Sequence, residues 1–147
     1  MAGRSIWSMF RIFRYSLLLV LFPFVHYTGF LATDTDKADA QQLVTTFHND
    51  MAHGDSDGIY DNADPAFQKA VSREHHDAYL AAVARNLGTP MDCTPDNIGV
   101  RFGLGTKTVS IDCATRFSSG NTATERFRWK KTGDQYHLYF YALHAQQ

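Results

Sequence analysis

The sequence predicts an α+β domain with N-terminal helices packed on a curved antiparallel sheet, preceded by one transmembrane or signal-anchor helix. Three observations carry this. Apolar residues recur at helical spacing through the first half of the body, the period then shortens to two, and an uncharged apolar run stands ahead of both. A chain of 147 residues has room for one such domain once the leading segment is set aside.

The leading segment is residues 15–33, YSLLLVLFPFVHYTGFLAT, 19 residues without a formal charge. A hydrocarbon core of about 30 Å needs roughly 20 apolar residues in a helix, so the run is just long enough to span. Arg4, Arg11 and Arg14 precede it and Asp34 and Asp36 follow it. That asymmetry assigns residues 1–14 to the cytoplasm and the body to the far side. The expected location is the inner (cytoplasmic) membrane, as a single pass with the C-terminal domain outside the cytosol. The competing reading is a cleaved signal peptide with its apolar stretch from Leu17 to Val25 and a secreted or periplasmic product. Cleavage after Ala32 would leave bulky Phe30 where a small residue is needed, so the uncleaved anchor is favoured. Pro23 and the polar group His26, Tyr27 and Thr28 weaken the span.

Residues 34–37 are expected to form a short polar tether, with the folded domain over 38–147. From Ala38, the residues Leu43, Val44, Phe47 and Met51 mark a first helix that Gly54 caps. Asp57 is expected to cap a short helix through Ile59 and Tyr60. Pro65 opens another turn carrying Phe67 and Val71, and Ser72 caps a helix whose face is Tyr79, Leu80, Val83 and Leu87. A short strand is predicted over 98–103. In 107–118, Val109, Ile111, Cys113, Thr115 and Phe117 share one side; in 122–131, Ala123, Glu125, Phe127 and Trp129 do. The last segment, QYHLYFYALHA, is apolar on both faces and is expected to be a well-covered strand.

The charge distribution narrows the function classes. Residues 34–96 hold 4 basic and 12 acidic groups, and 97–147 hold 7 basic and 3 acidic. Such dilute basic character predicts no nucleic-acid partner; it reads as an acidic helical layer facing a basic sheet layer. Both cysteines, Cys93 and Cys113, lie in the body. They are either two buried thiols, in a reducing compartment, or a bridge; export favours a Cys93–Cys113 disulfide.

The run FHNDMAHGDSDGIYDNADPAFQKAVS resembles the opening of the nuclear transport factor 2-like superfamily, where a long helix ends in a Gly-Asp turn and a short helix with an Ile-Tyr pair follows. The tail ERFRWKKTGDQYHLYFYAL is similar to that superfamily's last two aromatic strands. The resemblance covers roughly residues 38–144. It implies a cone-like fold with a cavity between sheet and helices. It implies no single function, since that fold hosts enzymes, carriers and interaction modules. Exported members with one inward anchor include the inner-membrane component of type IV secretion machines, which is longer than this chain.

Glu125 is the most informative polar residue, because alternation places a carboxylate beside Phe127 and Trp129 on the face turned toward the helices. It is either a general base or ligand anchor, or a structural group paired with a neighbour. Trp129, Tyr60 and Tyr79 are core residues or, in the sharper reading, the lining of an apolar pocket with Glu125. Arg116, Arg126, Arg128 and Lys130 share the opposite face, a solvated strand face by default and an interface in the sharper reading.

The seven histidines give no metal-ligand spacing: His48 and His53 do not share a helix face, His75 and His76 point apart, and His137 and His144 fall on opposite strand faces by parity. They are expected to be solvent-facing or hydrogen-bonded core residues. Asp55, Asp57 and Asp61 lack the glycine and glutamate of a calcium loop. No catalytic set, metal or cofactor is predicted. The expected function is a membrane-anchored extracytoplasmic accessory or interaction domain, with a second copy or an envelope protein as partner. The alternatives are a domain binding or transforming a small apolar molecule, and a structural part of a secretion-type envelope complex.

Overall fold

The first helix begins earlier than the sequence suggests. Thr33 and Asp36 form a capping box: the Thr33 hydroxyl accepts from the Asp36 N–H, and the Asp36 carboxylate accepts from the Thr33 N–H. Residues 34–37 are therefore the first turn of α1 (Asp34–His53) and not a tether. In this computed structural model, which describes residues 32–145, α1 is followed by α2 (Ser56–Asp61), α3 (Pro65–Ala70) and α4 (Arg73–Leu87). The strands β1 (Pro90–Gly103), β2 (Thr106–Phe117), β3 (Thr122–Thr132) and β4 (Gln135–Ala145) complete the α+β fold. The expected anchor at 15–33 lies, but for its last two residues, outside the described residues. Among the described residues no helix is long and apolar enough to cross a membrane.

Local chemistry sets each helix boundary. Gly54 ends α1 in the left-handed conformation at φ 73°, its N–H reaching back to Asp50 and Met51. Asp55, rather than Asp57, caps α2, because its carboxylate accepts from the Gly58 N–H. Asp64 caps α3 with Pro65 at its first position, and Ser72 caps α4.

The sheet is an antiparallel meander in the order β1-β2-β3-β4. Alternation holds in its centre: Val109, Ile111, Cys113, Thr115 and Phe117 of β2 are fully buried, as are Ala123, Glu125 and Phe127 of β3. Ala40, Val44 and Phe47 of α1, with Ile59, Tyr60, Phe67 and Leu80, pack against this face to form the core. A satellite cluster of Val83, Leu87, Phe117 and Ala123 closes the end where α4 meets β2 and β3. β1 is longer than expected, because Pro90–Cys93 pair with the far end of β2 across two register shifts.

A bulge rewrites the parity of β4. Arg128 pairs with Phe140 but Trp129 pairs with Leu138, which leaves Tyr139 as an extra residue. Leu138 and Tyr141 consequently share the inner side, opposite Trp129 and Phe127. His137 and His144 pair with Lys130 and Thr124, both on the outer side; the expected opposition of the two histidines is undone by that residue. β4 is also an edge strand, and Tyr139 and Phe140 are exposed. It is not covered on both faces.

Lys107 of β2 pins the start of α1 to the sheet by an ion pair with Asp36. The Lys107 and Thr33 hydrogen bonds lower the Asp36 carboxyl from 3.8 to about 2. A carboxyl depressed in the folded state stabilises above its unfolded value and loses that contribution as pH falls through its folded one. For Asp36 the window is between pH 3.8 and about 2.

Candidate functional site

Three elements converge on Glu125. Helix periodicity brings His48 to the inner face of α1, four residues after Val44. Strand register sets Glu125 of β3 opposite Cys113 and two residues from Thr115's partner Ala123. The β4 bulge then turns Tyr141 inward. His48 Nε2 lies 2.7 Å from Glu125 Oε2, and the Tyr141 hydroxyl donates to Glu125 Oε1 at 2.7 Å. The Thr115 hydroxyl donates to Oε2 at 2.5 Å. Glu125 is 0 % exposed, so these hydrogen bonds stand in for water at its carboxyl group.

The network extends outward by rings. Phe47 sits 4.7 Å from Tyr141 and 5.1 Å from Phe127, centroid to centroid, and the His48 ring meets Phe127 edge-on at 6.0 Å. Burial first, and the Glu125 charge second, push the Tyr141 phenol well above its ordinary value; it stays a donor across the usual pH range. Thr115 Oγ1 lies 3.6 Å from Cys113 Sγ. Cys113 and Cys93 are at disulfide distance, with Cα atoms 5.6 Å apart on paired strands.

The four residues expected to line one pocket do not come together. Trp129 stacks on Phe127 at 5.1 Å and borders an open cleft of about 330 Å³ with Leu43, Asp50, Ile59 and Tyr136. Tyr60 is buried elsewhere, its hydroxyl donating to the Gln68 and Val71 carbonyls. Tyr79 is not core: it is 40 % exposed, and its hydroxyl accepts from the Leu143 N–H. Glu125 touches a cleft only through its partner. His48 forms part of the wall of a second opening, about 380 Å³, between Gln41, Thr45 and Asn49 of α1 and Met91, Asp92 and Cys93 of β1.

The four cations expected to form an interface on the outer face have carboxylate partners. Arg128 and Arg126 converge on Asp112 at 2.6 and 3.8 Å, Arg116 meets Asp92 at 2.7 Å, and Lys130 meets Asp64 at 3.6 Å. Arg126, Arg128, Tyr139 and Phe140 together line a shallow groove of about 350 Å³.

The acids that suggested a fragment of a calcium loop are engaged otherwise. Asp57 and Asp61 both receive the Arg73 guanidinium, which also lies 4.6 Å over the Tyr60 ring. No group of His, Cys, Asp or Glu among the described residues is arranged to hold a metal. His76 is buried against Tyr60 and Phe67, and its Nε2 has no partner among the described residues.

Compared with known proteins, no family model matches the chain and no curated protein shows significant similarity to it.

Proposed function

We propose that this chain is a non-enzymatic accessory domain, held outside the cytosol by residues 15–33, which presents the outer face of its sheet to a protein partner. The observation that carries the reading is the groove on that face. Tyr139 and Phe140 are 37 % and 42 % exposed beside Arg126 and Arg128. Aromatic residues and arginine are the side chains enriched where interfaces are tightest, and an edge strand adds unpaired backbone for a partner to meet. Glu125 fits the same reading, because a carboxylate enclosed by three hydrogen bonds has little left to offer a substrate. The nuclear transport factor 2-like likeness and a role within an envelope complex belong to this proposal too: four helical segments ahead of an antiparallel meander are consistent with both.

A photo-crosslinking residue placed at Phe140 in the full chain should capture a discrete protein neighbour in the host. The same residue at Arg85, exposed on α4, should not. Equal capture at both positions, or none at Phe140, removes the reading. A second copy of the chain as the captured species would make the partner a homodimer.

One observation favours a second reading, a small-molecule site in the α1–β1 cleft. His48 reaches that cleft while Glu125 holds its Nε2, the arrangement by which a buried carboxylate fixes a histidine's orientation. The lining by Gln41, Thr45, Asn49 and Asp92 would suit a polar molecule better than an apolar one.

A further inference from the structure

The turn between β1 and β2 carries apolar side chains where a water-facing hairpin would carry polar ones. Leu104 is fully exposed and holds φ 49°, a left-handed conformation that is unfavourable for a leucine. Phe102 is 62 % exposed on the strand beside it. Gly103 and Gly105 flank the leucine, and Arg101 and Lys107 stand on the two strands below.

The turn lies at the end of the sheet where the chain leaves the apolar run. Lys107 is paired with Asp36, and Asp36 is bonded to Thr33, the last residue of the apolar run 15–33. The base of the hairpin is thus tied to the point where the chain leaves that run. α1 travels away from this point: Asp36 lies at the Lys107 end of the sheet and His48 at the Cys93 end. At about 3.3 Å per residue, Leu104, two residues beyond the Phe102–Lys107 pair, projects roughly 7 Å past Lys107, beyond the start of α1. The polar layer between the hydrocarbon core and water is about 5–8 Å deep on each side of a bilayer, a depth that matches this projection.

We propose that the Phe102–Leu104 turn is a second membrane contact, inserting into the interface of the bilayer that residues 15–33 span. This rests on the anchored reading given above. Phe102 and Leu104 enter the boundary of the acyl chains, while exposed Arg101 keeps its cation at the headgroups and lays its stem along the apolar layer. A single membrane attachment would leave the body's orientation unset. Two contacts fix the sheet's long axis toward the membrane normal and hold the outer-face groove at a set height and direction.

The test uses the full chain in vesicles of phosphatidylcholine and phosphatidylglycerol with brominated acyl chains, which quench tryptophan on contact. Leu104→Trp is compared with Asn121→Trp, in the turn at the opposite end of the sheet, after subtracting the unsubstituted chain. The Leu104→Trp signal should lose most of its emission and the Asn121→Trp signal should keep its own. If the protein floats with the vesicles but Leu104→Trp is unquenched, the turn does not touch lipid and the inference is overturned. Quenching of both probes means non-specific adhesion and overturns it too. A Leu104→Trp probe that lipid leaves alone but that shifts to the blue with protein concentration marks a second copy as the occupant, with the same consequence. A full chain that does not float at all removes the anchored reading, and the turn's role with it.

Discussion

Glu125→Ala is expected to destabilise the domain by about 3–5 kcal/mol, a large part of a typical domain's margin, whereas Glu125→Gln costs about 1–2 kcal/mol. Alanine strands the Thr115 and Tyr141 hydroxyls and the His48 ring in a space with no water access, and it leaves a cavity. Glutamine keeps the volume. Its carbonyl can accept from Tyr141, and its amide can donate to Thr115 and to a neutral His48 in its other tautomer. Urea unfolding of both variants by circular dichroism separates them. Equal, small losses would mean that Glu125 is solvated and that the three-bond enclosure does not exist in solution.

Removing the Cys93–Cys113 bridge has the next largest effect. A sequence separation of 20 gives about 3 kcal/mol in the chain-entropy treatment of loop closure. Cys113 is fully buried beside Thr115, so losing the bridge also loosens the wall that holds the Glu125 network. The double variant Cys93→Ala/Cys113→Ala should therefore unfold more than about 10 °C below the bridged protein, with a reductant reproducing most of the shift. A melting temperature indifferent to both would show that strand pairing alone holds β1 to β2. The domain would then tolerate a reducing compartment.

Much of this architecture is readable from local patterns. The apolar stripe of α1, the Gly54 stop and the inward set of β2 and β3 each follow from spacing that one element decides by itself. What spacing does not show is the long-range partner. Glu125 stood out as a carboxylate on an apolar face, yet its partners come from α1, β2 and β4. His48 was the legible half of the missing clue: a polar side chain four residues along from Val44, on the stripe that meets the sheet. The inward turn of Tyr141 was not legible. It depends on the extra residue Tyr139, and strict alternation places Tyr141 on the side opposite Leu138. The same insertion leaves Phe140 outward and exposed, and the segment that promised a covered strand stands at the sheet's edge because, among the described residues, no strand follows it in the sheet. The extension of α1 back to Asp34 was written in Thr33 and Asp36, three residues apart, a capping pair hidden by the run of charges around it.

The proposed role requires the folded body to lie on the extracytoplasmic side of a membrane. Protease treatment of sealed vesicles, prepared in both orientations from cells making the full chain, addresses that directly. The prediction is that the body sediments with membrane through an alkaline wash and is cut only when the extracytoplasmic face is outward. A body that washes free into solution, or is cut only when the cytoplasmic face is outward, would contradict it.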